Sequence, residues 1–276
     1  MINATGNRMT REIARQSQLA ERIDQLQIQV STGKRLQRAS DDPVAARRIS
    51  TIGTAQASAM TWAANVASAS AQVSQADAAL GSTASLLVRA RELALSAANG
   101  TMNASDRASV AAELAGIADE IDGLAATRDA NGEPVFTSGT AKVVRFDSDV
   151  SFAPVPSATD AFVVGGNPLS TGLRDAAAAI ASGDAAGINA ALDTLGTSIS
   201  HVADQRATMG LAAGRLERIG DGLSARGIAL ADERSTVEET DMQVAIAQLN
   251  ATTLTLEAAQ ASFARINRQT LFDILG

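Results

Sequence analysis

Apolar residues recur in alternating steps of four and three along residues 240–276. These steps place them on one narrow stripe of a helix, as in a coiled coil. Neither proline nor glycine interrupts the stretch before its last residue, so one long helix is predicted there. The row, with its polar members, is Met242, Ile246, Leu249, Thr253, Leu256, Gln260, Phe263 and Asn267.

Residues 1–30 carry a second row of the same kind, whose members lie seven positions apart. A lone amphipathic helix is unstable in water because its apolar face stays uncovered. We therefore expect the two ends of the chain to pair as an antiparallel or bundled coiled coil. We also expect them to be assembly elements that only contact with other subunits completes. The second row is Ile2, Met9, Gln16, Ile23 and Val30, with Leu19 and Leu26 on the neighbouring row.

The two rows and two further apolar residues near the C-terminus form the predicted assembly interface. Polar members such as Gln16 and Thr253 weaken the seam but can fix its register. The predicted interface positions are Ile2, Met9, Leu19, Ile23, Leu26, Val30, Met242, Ile246, Leu249, Leu256, Phe263, Leu271 and Phe272.

A second long helix is predicted over residues 42–98. Ser40 or Asp41 is a suitable N-cap, and Pro43 suits the first helical turn. The dipeptide Asn99-Gly100 is a suitable end for this helix. Its apolar positions at seven-residue spacing are Val66, Val73, Leu80 and Leu87, with Trp62, Ala69 and Ala76 on the adjacent row.

Two further helical stretches are predicted, one opening at Ser105 and one running from about Gly172 to residue 235. The second stretch has an apolar residue at every seventh position, which is typical of a coiled coil. Ser235 and Glu238 can form a capping box for the final helix. The seven-residue ladder is Ile188, Leu195, Val202, Met209, Leu216, Leu223 and Leu230.

The region between these helical stretches has a different pattern. Asn131-Gly132 predicts a hairpin turn, and Val135 with Phe136 predicts a short strand after it. β-Branched and aromatic residues then alternate with polar ones, among prolines. We predict a small β-rich insertion over residues 141–170.

Together these elements predict a mostly α protein, a long antiparallel coiled-coil or helical-bundle rod with paired terminal helices. Aromatic residues make up only 3% of the chain, so the helices are expected to approach closely over alanine. The predicted segments are an N-terminal assembly helix (1–40), the first half of the rod (41–140), the β-rich insertion (141–170), the second half of the rod (171–235) and a C-terminal assembly helix (236–276).

Composition narrows the classes of partner. A net charge of −7 and a pI near 4.8 argue against nucleic acid, which is bound by clustered cationic surface. No window is long and apolar enough for a membrane span, and the absence of cysteine excludes disulfides. The N-terminal residues contain no apolar h-region, so no Sec-type signal peptide is expected.

No motif predicts an enzyme, a cofactor site or a metal site. Residues 31–35, STGKR, have the glycine and lysine of a phosphate loop, but Ile28 stands where the first glycine is required. His201 is the only histidine, and a solvated helix position is expected for it. Asp41 and Asp42 are interpreted as helix-start carboxylates rather than cation ligands.

Several stretches resemble the flagellin superfamily of bacterial flagella. The stretch at residues 91–122, RELALSAANGTMNASDRASVAAELAGIADEID, is similar to a helix-turn-helix shared across that superfamily. STGKRLQRASDDPVAA (31–46), RDANGEPVFTSG (128–139) and LTLEAAQASFARINRQTLFDILG (254–276) are most similar to the branch at the hook–filament junction, the hook-associated proteins.

This resemblance implies a structural role, joining hook to filament by helix-mediated assembly of subunits into a ring or helical layer. It implies flagellin and another hook-associated protein as neighbours, and an export chaperone that holds the C-terminal helix. It also implies type III export to an extracellular location on the flagellum. A short filament flagellin is the alternative, and a cytoplasmic coiled-coil scaffold is a further one.

Overall fold

The computed structural model describes the backbone of residues 2–275 and the side chains of residues 9–265. It is mostly helical, with four strands of two residues each in the described part. The elements are α1 (Ile2–Thr32), α2 (Pro43–Ala98), α3 (Ala104–Ala125), β1 (Val144–Arg145), β2 (Ser151–Phe152), α4 (Ala158–Phe162), β3 (Val163–Val164), β4 (Asn167–Pro168), α5 (Leu169–Ser182), α6 (Ala185–Glu238) and α7 (Met242–Leu275). The mostly α fold class with paired terminal helices and a small β insertion is confirmed.

The chain divides into two compact units. One contains the two ends of the chain, Met1–Ala57 and Gly227–Gly276, and the other is Ser58–Arg226. In the first unit α1 and α7 pack on each other. The end of α1 lies beside the start of α7, because Thr240 donates its backbone N–H to the carbonyl oxygen of Gly33 at 2.9 Å. The predicted antiparallel pairing of the termini is therefore present within one chain.

The second unit holds the main hydrophobic core, and the predicted heptad positions of α2 and α6 form much of it. Every ladder residue of α6 from Ile188 to Leu223 is buried, as are the four seven-spaced residues of α2. Burial is regular because one residue in seven returns to the same side of a coiled-coil helix. At the surface, the Arg206 guanidinium of α6 donates to the Asp77 carboxylate of α2 at 3.0 Å.

α3 and α5 pack against each other in the same unit. Alanine makes this close packing possible, since Ala118 on α3 and Ala176 on α5 are completely buried. Arg174 of α5 donates to Asp119 and Asp122 of α3 at 2.8 and 2.7 Å. Burial disfavours ionisation of Asp122, but hydrogen bonds from Ser170 and Arg174 outweigh it and lower the pKa of this carboxyl.

The helical stretch predicted from about Gly172 proves to be two helices. α5 ends at Ser182, and Gly183 follows with a φ of +75°, a left-handed conformation that glycine adopts without strain. Asp184 then caps α6 by accepting the backbone N–H of Ala186 at 3.1 Å. The prediction of one helix was wrong. Alanine, a strong helix former, lies on both sides of Gly183 and Asp184, so the sequence pattern does not reveal the break between them.

The β-rich insertion contains fewer residues in strands than the sequence predicts. β1 pairs with β2 and β3 with β4, each as an isolated antiparallel pair of two-residue strands. Phe152 of β2 contacts the ring of Phe146, and the Arg215 guanidinium of α6 lies 4.0 Å from its ring centroid. A pair of two-residue strands is only marginally stable by itself. The aromatic and cation–π contacts of Phe152 therefore stabilise the β1–β2 pair.

The hairpin turn at Asn131-Gly132 is present, but the strand predicted after it is not. Asp129 donates its backbone N–H to the carbonyl oxygen of Glu133 at 2.8 Å and closes the turn. Phe136 is buried instead in an edge-to-face contact with Phe162, at 4.9 Å between ring centroids. Backbone pairing is limited to an isolated bridge between Arg128 and Pro134 and a bond from the Val135 N–H to the Thr127 carbonyl oxygen, so the prediction of a strand at Val135 and Phe136 was wrong.

Candidate assembly interface

The terminal helices meet along a face that we call the inner face of α7. Ala245 is buried, and Leu249, Leu256 and Phe263, which lie seven residues apart, are half-buried. On α1, Leu26 is buried at 2% exposure. The other half-buried apolar residues of α1 on the matching face are Leu19, Ile23 and Val30.

Seven of the predicted interface residues thus lie on the faces that α1 and α7 present to each other. Three others are exposed on the pair: Met9 (47%), Met242 (40%) and Ile246 (44%). At the start of α7 the inward position belongs to Ala245, one residue before Ile246. The side chains of Ile2, Leu271 and Phe272 lie outside the described residues. Whether other subunits cover any of these positions stays a prediction.

A second apolar stripe on α7, which we call the outer stripe, is exposed along its whole length. Its members are spaced by three and four residues, and on a helix of 3.6 residues per turn they lie about 150° from the inner face. Leu254 is 68% exposed and Val244 49%. The outer stripe is Val244, Ala247, Ala251, Leu254, Ala258 and Ala261.

Sequence reasoning missed the outer stripe, although its heptad spacing was visible. Four of its six members are alanines, which are weak markers of an apolar face. The bulkier row gives the stronger signal and predicts a single seam. The signal of the outer stripe is a second row of small apolar residues at steps of three and four on the same helix. Exposed apolar stripes of this length mark interaction surfaces in soluble proteins.

The junction between the helix ends anchors the terminal pair. The loop after α1 crosses the link between α6 and α7 in an antiparallel bridge between Lys34 and Glu239. The Arg35 backbone N–H donates to the carbonyl oxygen of Glu238 at 2.8 Å. Backbone bonds therefore tie the chain after α1 directly to the chain before α7.

Charged side chains reinforce this junction around Glu238, whose side chain is 15% exposed. Lys34 forms an ion pair with it, and Arg234 donates to it at 2.8 Å. These two partners lower the pKa of the Glu238 carboxyl below its ordinary value, with Lys34 the larger cause. An ionised Glu238 thus connects α6 to the loop after α1.

α7 begins with an aspartate cap rather than the predicted capping box. Asp241 accepts the backbone N–H groups of Gln243 and Val244 at 3.0 and 3.1 Å. Ser235 lies inside α6, and Glu238 is the last residue of that helix. The capping-box prediction was wrong because α6 continues through this pair of residues.

Two protein-family models match this chain, one in its N-terminal half and one in its C-terminal part. The model of the bacterial flagellin N-terminal helical region matches residues 3–141, and that of the bacterial flagellin C-terminal helical region matches residues 192–275. The chain belongs to the bacterial flagellin family. Flagellin-family proteins are structural components of the bacterial flagellum, self-assemble and associate with other flagellar components outside the cell.

Several solved structures have a similar fold. One, from Vibrio parahaemolyticus and described as a flagellar hook-associated protein, matches with a TM-score of 0.66 and 18% identity over 72% of this chain and 100% of that one. FlgL of Xanthomonas campestris matches with a TM-score of 0.59 and 13% identity, over 67% and 99% of the two chains. FlgL of Bacillus cereus matches with a TM-score of 0.56 and 17% identity, over 65% and 96%. At these identities the likeness shows the fold. No curated protein sequence matches the chain.

Asp42 and His201, which the sequence analysis considered as possible ligands, form hydrogen bonds with the backbone of this flagellin-family chain. Asp42, rather than Ser40 or Asp41, caps α2 by accepting the backbone N–H groups of Ala45 and Val44, which lower its pKa. His201 is half-buried, not fully solvated, and its Nε2 lies 2.9 Å from the carbonyl oxygen of Asp160.

Within the described residues, no group of three or more histidine or acidic side chains is arranged to hold a metal ion. No helix in that part of the chain combines the length and apolar character needed to cross a membrane.

Proposed function

We propose that this flagellin-family chain is a hook-associated protein that joins hook to filament. The hook-associated branch is supported by the stretches at residues 31–46, 128–139 and 254–276, which resemble that branch more than filament flagellins. The role is mechanical: the subunit adheres to its neighbours and holds two different structures together without turning over a substrate.

The outer stripe of α7 carries this proposal. One face of α7 is occupied by α1, so a second apolar face is left for a different helix. Burying a side chain such as Leu254 in a neighbouring subunit contributes about 1.5–3 kcal/mol. The alanines beside it allow a neighbouring helix to approach closely. Exposed Met9, Met242 and Ile246 on the same helix pair extend the apolar surface that neighbours can cover.

The partners in this proposal are copies of the chain in a ring or helical layer, another hook-associated protein and flagellin. The same exposed stripe makes the free subunit prone to aggregation, which is a reason for an export chaperone to hold α7 before assembly. Export through the flagellar type III apparatus, without a Sec-type signal peptide, is part of the proposal. We also propose a role for each segment. Residues 1–40 and 236–276 form the assembly helices, residues 41–140 and 171–235 form the rod, and residues 141–170 form an insertion.

Localisation on intact flagella tests the proposed function. Antibodies against this chain, detected with gold particles by electron microscopy, should label one narrow collar between hook and filament. Labelling along whole filaments would contradict the junction role and identify a filament flagellin. Absence from both sheared flagella and culture medium would identify a scaffold that stays inside the cell.

A further inference from the structure

The chain contains two Asn-Gly dipeptides, at Asn99-Gly100 and Asn131-Gly132, and the fold treats them differently. An asparagine followed by glycine is chemically labile because no Cβ hinders the glycine nitrogen from approaching the asparagine side chain. Both asparagines and both glycines are exposed. Exposure alone therefore does not distinguish the two sites.

Asn131-Gly132 is held in an ordered turn. The Gly132 N–H donates to the carbonyl oxygen of Asp129 at 3.0 Å, and the Asp129 carboxylate accepts the Asn131 N–H at 2.9 Å. Arg128 also donates to the carbonyl oxygen of Gly132 at 2.6 Å. The nitrogen that would attack is thus engaged, and its flanking peptide groups are fixed.

Asn99-Gly100 lacks these restraints. Asn99 is the first residue after α2, and its side chain has no hydrogen-bond partner among the described residues. The Gly100 N–H reaches the carbonyl oxygen of Ala97 only at 3.5 Å, beyond the usual 2.7–3.2 Å range. Gly100 and Gly132 both have a positive φ and no atom within 4 Å of the place a Cβ would occupy, so the hydrogen bonds alone distinguish the two sites.

We propose that Asn99 is a site of spontaneous deamidation in the folded protein, and that the turn around Asp129 protects Asn131. The Gly100 nitrogen attacks Asn99 Cγ and forms a C–N bond as the Cγ–Nδ2 bond breaks. The proton from Gly100 leaves with the amide nitrogen as ammonia. Water then opens the succinimide ring at either carbonyl, which leaves aspartate or isoaspartate at position 99.

The expected selectivity follows from the hydrogen bonds. A bond worth about 1 kcal/mol that must break before attack slows the reaction about five-fold, and two such restraints slow it up to about thirty-fold. Asn131 carries these restraints and Asn99 does not. Each new carboxylate at position 99 adds negative charge at the C-terminal end of α2, where the helix dipole disfavours it.

Incubation of the folded full-length chain in mildly alkaline buffer, followed by trypsin digestion and mass spectrometry, tests this proposal. Cleavage after arginine and lysine puts Asn99 in peptide 92–107 and Asn131 in peptide 129–142. The first peptide should gain the deamidation mass at least about five-fold faster than the second. In guanidinium chloride the two rates should become about equal. Equal rates in the folded chain, or a faster rate at Asn131, would overturn the proposal.

Two variants locate the reaction and its restraint. Asn99→Gln should abolish the mass gain in peptide 92–107, and a gain that persists would assign the reaction to Asn103 instead. Asp129→Ala removes the carboxylate that holds the protected turn, so Asn131 should react several-fold faster while Asn99 is unchanged. An unchanged rate at Asn131 in this variant would show that the turn does not protect it.

Discussion

Lys34, in the loop after α1, forms an ion pair with Glu238, the last residue of α6. Their backbones lie in the same antiparallel crossing that brings the end of α1 beside the start of α7. This contact is polar and joins residues distant in sequence, at the place where the end of α1 lies beside the start of α7. Its contribution to stability should therefore respond to pH.

Acid should weaken the terminal pair through Glu238. Because Lys34 and Arg234 lower the pKa of this carboxyl in the folded chain, its stabilisation is fully present above the ordinary glutamate pKa of about 4.3. It is lost as pH falls through the lower folded-state value. Glu238→Gln should cost about 1 kcal/mol at neutral pH, and the difference from wild type should shrink towards zero in acid. Unfolding in denaturant, followed by circular dichroism at several pH values, measures this. A difference that is constant with pH would contradict the assignment.

The ladder of α6 predicts a contrast between two leucines on one helix. Leu216 is completely buried and Leu211 is 77% exposed. Leu216→Ala should destabilise the chain by about 2–5 kcal/mol, because it removes buried methyl groups and leaves a cavity. Leu211→Ala should change stability by less than about 0.5 kcal/mol. Denaturant midpoints of both variants test this, and equal shifts would refute the burial of the α6 ladder in the core.

Two glycines should respond to alanine with opposite signs. Gly183 has a φ of +75° and would place a Cβ 3.4 Å from the Arg107 guanidinium, so Gly183→Ala should destabilise by about 1 kcal/mol or more. Gly196 lies inside α6 with no atom within 4 Å of its missing Cβ. Gly196→Ala should stabilise by about 0.4–1 kcal/mol, because the unfolded chain loses conformational freedom. Thermal melts compare them, and shifts of the same sign would contradict the helix break at Gly183.

Heptad periodicity predicted the long helices and most of their buried positions. The ladder of α6 is visible in the sequence because burial on a long helix repeats with the helix itself, as Leu195 and Leu216 show. Features that depend on contacts between residues distant in sequence were harder to predict from the sequence. The burial of Phe136 follows from the position of Phe162, and the choice of Ala245 over Ile246 follows from how α7 lies against its partner.

Both terminal helices and their pairing were predicted from the sequence, whereas contact of their bulky residues, such as Leu256, with other subunits stays a prediction. In the structure this residue lies on the face that packs on α1. The outer stripe was missed because alanine gives little signal in the sequence. Leu256→Asp would therefore disturb the helix pair itself and is a poor probe of assembly.

Leu254→Asp tests the central claim most directly, with Gln248→Asp as a matched control. Both residues are exposed on α7, but only Leu254 lies on the outer stripe. Each variant is expressed in cells that lack the wild-type chain, and its amount is measured in sheared flagella and in culture medium. Leu254→Asp should be exported into the medium but absent from flagella, because burying its carboxylate in a neighbour costs several kcal/mol. Gln248→Asp should assemble normally, whereas normal incorporation of Leu254→Asp into flagella would contradict the assembly role of the outer stripe.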